Sequence, residues 1–220
     1  MNRFGVRWLL LAMGAVIVLS SSLPSRADDV YGRKGQWDVV GFTGWVTSNT
    51  LDSKSQDSLG TIEEEMEIKD SALIGIRADA HLGDHVAFGM SFGYTRPDFE
   101  LQAEQAGVKD SVSGDLALNF IDADLTWRFF NRPNTPFLML GIGAFNVADK
   151  EVDGVYYSEQ HFQYHGAVGW EWVVKDRVVI NASVRAVMTE MDYWPDNLMF
   201  LEGVVGVGYR WGPHHRETYR

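Results

Sequence analysis

The 220-residue sequence predicts an all-β protein: an eight-stranded antiparallel up-and-down transmembrane β-barrel behind an N-terminal signal peptide. Three observations point there. Apolar residues recur with period two through eight separate runs, which is the spacing of strands and not of helices. The connections between those runs alternate long and short, as in a meander that gathers its loops at one end and its turns at the other. One face of each run holds Phe, Trp, Tyr, Leu and Val, while the other mixes charges with Gly, Ser and Asn. In a membrane barrel lipid meets the first kind of face and a narrow lumen the second.

Residues 1–27 read as a secretory signal. Arg3 and Arg7 make a basic start, Leu9 to Leu19 an apolar run too short to span a bilayer as a helix, and Ser25-Arg26-Ala27 an A-x-A-like cleavage site. A short membrane anchor is the competing reading. Cleavage after Ala27 removes Arg3, Arg7 and Arg26, taking Lys+Arg from 19 to 16 against 30 Asp+Glu and the net charge from −11 to −14. Such acidity argues against nucleic acid as a partner, because phosphate neutralisation needs clustered Lys and Arg. The chain has no cysteine, so it has no disulfide framework, thiolate metal site or lipid-bearing cysteine. Beyond the signal no apolar run reaches the ~18 residues of a membrane helix. Any crossing after export is by strands.

In chain order, residues 28–36 read as an N-terminal periplasmic tail and 37–211 as the barrel domain. Trp37 to Thr47, rich in aromatic and β-branched residues, is the first strand, and the polar run Ser48 to Glu65 a long loop. Glu67 to Leu82 alternates Ala72, Ile74, Ile76, Ala78 and Ala80 against Leu73, Gly75, Arg77, Asp79 and His81. Gly83-Asp84 turns tightly into Val86 to Tyr94, the third strand. Phe99 to Ser113 is a second long loop. Asp115 to Phe130 is the fourth strand, with Leu116, Leu118 and Phe120 off the parity of Ile121, Ala123, Leu125 and Trp127. A β-bulge near Phe120 would reconcile them, since one extra residue flips the face. Asn131 to Pro136 is a turn by its Pro and Asn content, and Phe137 to Val147 the fifth strand. Ala148 to Val155 is an acidic loop, Tyr156 to Val174 the sixth strand, and Lys175-Asp176 a turn into the seventh, Arg177 to Met191. Asp192 to Asn197 is a loop before the last strand, Leu198 to Trp211, and 212–220 is a C-terminal tail.

The same alternation fits a soluble or periplasmic barrel binding an apolar ligand if the apolar faces point inward. Glycines at 141, 143, 206 and 208 favour the opposite sense, because small residues suit a crowded lumen. Trp37, Trp170, Trp172, Tyr209 and Trp211 lie near strand ends on the turn side, where an aromatic girdle belongs. The inward set then holds Arg77, Arg128, Arg185 and Arg210 against Asp79, Asp122, Asp124, Glu171 and Glu202. Charges in a confined lumen must pair, so a structural network is expected, with a narrow ion path as the functional alternative.

Catalytic and metal chemistry find little support in the residues. His161 and His165 share a face but stand four residues apart on a strand, roughly 13 Å, too far for one metal. Ser91 and Ser183 are inward with no base beside them, and the acid pairs Asp122/Asp124 and Glu190/Asp196 have no acid–base context beyond proximity. No catalytic residue, metal or cofactor is expected, a lipid A-modifying barrel enzyme being the alternative. The acidic loops, with Glu63, Glu64, Glu65, Glu67, Asp149, Glu151 and Asp153, are either solvated surface or carboxylates that bridge Ca²⁺ or Mg²⁺ to lipopolysaccharide phosphates. His214 and His215 form a pair in the tail that is incidental or a metal-binding one.

The segments IDADLTWRFF…TPFLMLGIGAF (Ile121 to Phe145), HGAVGWEWVVKDRVVINASVRAV (His165 to Val187) and FLEGVVGVGYRW (Phe200 to Trp211) resemble the eight-stranded barrel domains of the opacity-protein and outer-membrane-protein-A type in Gram-negative bacteria. The resemblance spans Trp37 to Trp211. It implies a cell-outer-membrane location, outer-membrane lipid, lipopolysaccharide and the barrel-assembly machinery as partners, a monomer, and a structural or surface-interaction role. Such barrels often end on the aromatic residue itself, an assembly signal, whereas here GPHHRETYR (Gly212 to Arg220) follows Trp211.

Overall fold

Every backbone N–H and C=O of a strand inside hydrocarbon must find a partner on another strand, and only a closed sheet provides one at every position. The computed structural model describes residues 29–48, 51–57, 60–105, 108–152, 155–189, 198–213 and 215–218. The signal peptide over 1–27 and the loop Asp192 to Asn197 lie outside the described residues. Among those described, the strands in chain order are β1 (Asp29–Gly32), β2 (Trp37–Ser48), β3 (Leu51–Asp57), β4 (Gly60–Ile68), β5 (Ser71–His81), β6 (Val86–Thr95), β7 (Asp98–Gln105), β8 (Val108–Asp115), β9 (Leu118–Arg128), β10 (Asn134–Val152), β11 (Val155–Val174), β12 (Val178–Thr189), β13 (Leu198–Trp211) and β14 (His215–Thr218). Eight of them close a barrel in the order β10-β11-β12-β13-β2-β5-β6-β9, each antiparallel to its neighbours. The seam joins the first and last barrel strands, from Phe200↔Ser48 at the loop end to Trp211↔Trp37 at the turn end.

Alternation sorts the side chains as the sequence leads one to expect. Ile74, Ile76, Leu125, Leu140, Ile142, Val205 and Val207 are each more than half exposed on the outer wall. The residues of the alternate parity point inward, where Leu73, Asp79, Asp124, Thr126, Met139 and Glu202 are buried. Short turns and both described termini share one end, which in outer-membrane barrels is the periplasmic one, and the long hairpins share the other.

Five expectations change. The bulge near Phe120 is absent: β9 pairs with β6 and β10 in continuous register through that point. Leu118 and Phe120 instead face inward, where they join Val46, Ile68, Leu73, Phe145, Val187, Leu198 and Phe200 in a buried apolar plug near the loop end of the lumen. Their parity matches Asp122 and Asp124 because all four line the same interior. The stretches 48–65 and 99–113 are not loops. They carry β3, β4, β7 and β8, which pair across β4–β7 into a separate four-stranded sheet. Their alternation is short and acidic, Met66 and Ile68 against Glu65 and Glu67 on β4 and Phe99, Leu101 and Ala103 against Glu100, Gln102 and Glu104 on β7, so the polar majority masks the period. For the same reason the loop at 148–155 shrinks, β10 running to Val152 and β11 starting at Val155, with a register shift between Val147 and Lys150. Strands expected to begin at Glu67 and Asp115 break at 69–70 and 116–117, where hairpin strands hand over to barrel strands. Finally, the two tails pair: β1 and β14 form a two-stranded antiparallel sheet, Asp29↔Thr218 to Gly32↔His215.

Candidate functional site

An eight-stranded barrel leaves an interior just wide enough for side chains to fill it. Here the filling is layered along the axis. Nearest the turns, Arg210 at the end of β13 grips Asp38 on β2 with two bonds, Nε to Oδ1 and Nη2 to Oδ2, both 2.6 Å. The Arg210 Nη2 also reaches Glu171 Oε1 on β11 at 3.2 Å. Glu171 in turn accepts from Arg128 Nε on β9 at 2.9 Å, and His81 Nε2 lies 2.9 Å from Asp38 Oδ2. A residue from outside the barrel completes this tier. Arg33, fully buried, places its Nε 3.4 Å from Glu171 Oε1.

The middle of the lumen holds a second tier. Arg77 Nε donates to Asp79 Oδ1 at 2.9 Å and its Nη2 to Thr126 Oγ1 at 2.8 Å, while Nη1 lies 3.6 Å from Asp124 Oδ2 and against Met139 Sδ. Arg185 Nε donates to Glu202 Oε2 at 2.5 Å and its Nη1 to Asp122 Oδ2 at 2.8 Å. His165 joins the two halves: Nε2 is bonded to Asp124 Oδ1 and Nδ1 lies 3.8 Å from Asp122 Oδ1. Gln163 Nε2 donates to Asp122 Oδ1 at 2.5 Å. Room for these side chains comes from glycine. A Cβ on Gly141 would collide with Asp124 and His165, and one on Gly143 with Asp122.

The structure places Arg77, Asp79, Asp122, Asp124, Arg128, Glu171, Arg185, Glu202 and Arg210 in the barrel interior, each within ion-pair distance of another charged group there. The expected charge network did not include Asp38, His81, His165, Gln163 and Arg33, although the alternation sets His81 on one face with Arg77 and Asp79, and Gln163 and His165 on one face with Glu171. The first four carry the inward parity of their strands, and Asp38 stands directly opposite Arg210 in the register, so periodicity was enough to find them. Arg33 lies in an aperiodic stretch and offered no such signal.

A cavity of about 40 Å³ remains among Arg77, Ser91, Asn181, Ser183, Arg185 and Glu202. At roughly 10–15 Å³ for each water held, that is room for a few water molecules. Above it the plug closes the section, with Phe120, Phe145 and Phe200 rings mutually 6.2 to 6.4 Å apart. His161 stacks on Phe145 at 5.0 Å within that apolar layer, away from His165. Ser91 donates to Asp122 at 3.3 Å, so serine and histidine converge on one carboxylate instead of lining up as nucleophile and base. Among the described residues no group of three or more His, Asp or Glu side chains is arranged to hold a metal ion.

On the outer wall Trp37 and Trp211 oppose each other across the seam. Tyr209 lies 4.9 Å from Trp211 and under Arg177 at 5.9 Å, and Trp170 lies 6.4 Å from Trp172. Trp127, Phe129 and Phe130 extend this turn-side band beyond the five residues expected, each about half exposed.

Comparison with known proteins agrees with the architecture. A family model described as the outer membrane protein beta-barrel domain matches residues 9–211. No curated protein matches the sequence. Among solved structures, the outer membrane protein OprG of Pseudomonas aeruginosa is similar at a TM-score of 0.61 and 10% identity, over 82% of this chain and 97% of that one. Neisserial surface protein A is similar at 0.52 and 16% identity, over 81% and 98%. The N-terminal barrel domain of Pseudomonas aeruginosa OprF is similar at 0.51 and 13% identity, over 82% and 99%. At these identities the likeness is one of fold. With its closed eight-stranded barrel and a family match over nearly its whole length, the chain belongs to the outer membrane β-barrel protein family of bacteria.

Proposed function

We propose that this protein is a monomeric outer-membrane barrel with a structural and surface-interaction role, and neither a channel nor an enzyme. The observation that carries this reading is the filled lumen: two tiers of paired charge beneath an apolar plug, with room only for water between them. An ion crossing it would have to strip its hydration against packed Phe and Leu. In this reading the signal peptide is removed near Ala27 and the assembly machinery inserts the barrel. The aromatic girdle then seats it among outer-membrane lipid and lipopolysaccharide.

The distribution of charge supports a surface role. Residues 48–70, 96–115, 148–160 and 190–197 together carry 19 Asp+Glu against 5 Lys+Arg, so nearly all the excess acidity sits at the loop end. A surface of that sign attracts cationic partners through long-range fields that salt screens. Conductance in a planar bilayer tests the first half of the proposal. The purified protein is expected to leave the bilayer's baseline current unchanged, and a steady ohmic step per insertion would overturn the closed lumen. For the enzyme alternative, lipid A mass profiles of cells with and without the protein are expected to be identical.

A further inference from the structure

Closure of the barrel depends on one seam, β2 against β13, and the segments flanking those two strands meet just below it. Past Trp211 the chain reverses at Gly212, whose φ of +116° belongs to the region that L side chains rarely adopt. A Cβ there would stand 2.9 Å from the Gly35 carbonyl oxygen and 3.0 Å from Gln36 Cα, and Gly35 itself has φ +79°. The reversal brings Pro213 under Gln36, whose Nε2 donates to the Pro213 carbonyl at 2.8 Å. Beyond it β14 pairs with β1. The seam therefore has a second, separate pairing under it, reached through two glycine-dependent bends.

The same flanking segment is fastened to other parts of the mouth. Gly35 N–H donates to the His81 carbonyl and His81 N–H to the Gln36 carbonyl, both at 2.9 Å, at the end of β5. Arg33 N–H donates to Asp84 Oδ1 at 2.9 Å in the β5–β6 turn. Its guanidinium reaches the Phe130 carbonyl and Asn131 Oδ1 at 3.4 Å, bonds the Arg132 carbonyl in the β9–β10 turn, and faces Glu171 on β11. One residue thus ties the β5–β6 turn, the β9–β10 turn and β11, which follow one another around one side of the barrel.

From this arrangement we infer that residues 29–36 and 212–218 form a closure latch: they hold the β2–β13 seam shut after it has paired, with Arg33 as the bolt. This goes beyond the structural role proposed above, since it assigns the segments a place in the order of events. The two segments are far apart in the chain and flank β2 and β13, so their pairing with each other follows closure of that seam, whereas Arg33 anchors residues 29–36 to a side of the mouth that assembles without β13. Contacts that form after the rate-limiting step act on unfolding and leave folding unchanged. The latch is then a kinetic lock, not an assembly signal.

The absence of native cysteine makes the test direct. Val30 and Glu217 are register partners in the β1–β14 pair, so a Val30→Cys/Glu217→Cys variant reports when the latch closes. Refolded from urea into lipid vesicles with a glutathione oxidant, it is expected to cross-link only after the folded band appears on unboiled gels. Without oxidant, Gly212→Val and Arg33→Ala in the full chain are expected to unfold about tenfold faster than the parent while folding within about twofold of its rate. Cross-linking before the folded band appears would overturn the proposal. So would parental unfolding rates in both variants, or slowed or abolished folding in Arg33→Ala, which would make the segment part of folding itself.

Discussion

Glu202 shows how a single lumen residue is constrained from several sides. It is fully buried, its Oε2 is held by Arg185 at 2.5 Å, and Arg185 is shared with Asp122. Removing one member of such a pair leaves the other charge buried alone, which costs about 3–5 kcal/mol. Glu202→Lys goes further by setting two cations face to face. It is expected to abolish the folded band on unboiled gels, and Arg185→Glu added to it is expected to restore a substantial part; an unchanged urea midpoint for Glu202→Lys alone would contradict the inward assignment. The members of this network were legible from parity alone, because a two-residue period fixes the face of every residue on a strand once one is fixed. Which carboxylate meets which guanidinium was not legible, since that depends on strand stagger. Arg33 was beyond reach for a different reason: its position comes from a bend at Gly35 and not from any period.

At the scale of the element, the strands of the barrel wall were readable and the hairpins beyond it were not. Burial writes itself into sequence as alternation, and in the sheet outside the barrel formed by β3, β4, β7 and β8 that alternation is brief, as in Phe99 and Leu101 against Glu100 and Gln102, and is outweighed by polar residues. β9 was misread in the opposite direction. Its plug residues Leu118 and Phe120 are apolar for the sake of the lumen, and an apolar inward residue looks the same in sequence as one that meets lipid. A cysteine pair of variants separates the two: Ile121→Cys is expected to react with a lipid-soluble maleimide in the folded protein and Phe120→Cys to resist it, whereas a bulge would leave both reactive. The β11–β12 turn holds a different kind of information. Lys175 and Asp176 have φ of +51° and +61°, and the Arg177 N–H donates to the Val174 carbonyl at 3.2 Å, a turn of the type that favours Asn-Gly within the three-residue connection between the paired Val174 and Val178. Lys175 is poorly suited to that conformation, and Asp176 tolerates it at a higher cost than glycine would. Lys175→Asn/Asp176→Gly is expected to raise stability by about 1 kcal/mol, read as a higher urea midpoint at unchanged slope.

The whole molecule is polarised along its axis. Acidic hairpins stand at one end, aromatic and cationic groups such as Trp211, Tyr209 and Arg177 at the other, and a wall of Ile, Leu and Val lies between. Such a body has one stable way to sit in a bilayer, and its cooperative closure has a simple signature. The folded protein is expected to migrate differently in SDS before and after boiling, and to stay with membranes through alkaline carbonate; release without detergent would contradict the lipid-facing wall. The apolar plug carries a consequence for the cell that harbours the protein. Each open pore added to an outer membrane raises what leaks through it, so pores must be kept to a tolerable number. In the closed-lumen reading proposed above, a barrel stoppered by three phenylalanine rings in tilted and edge-on contact adds wall without adding leak, and its copy number is limited by crowding in the plane of the membrane and not by permeability.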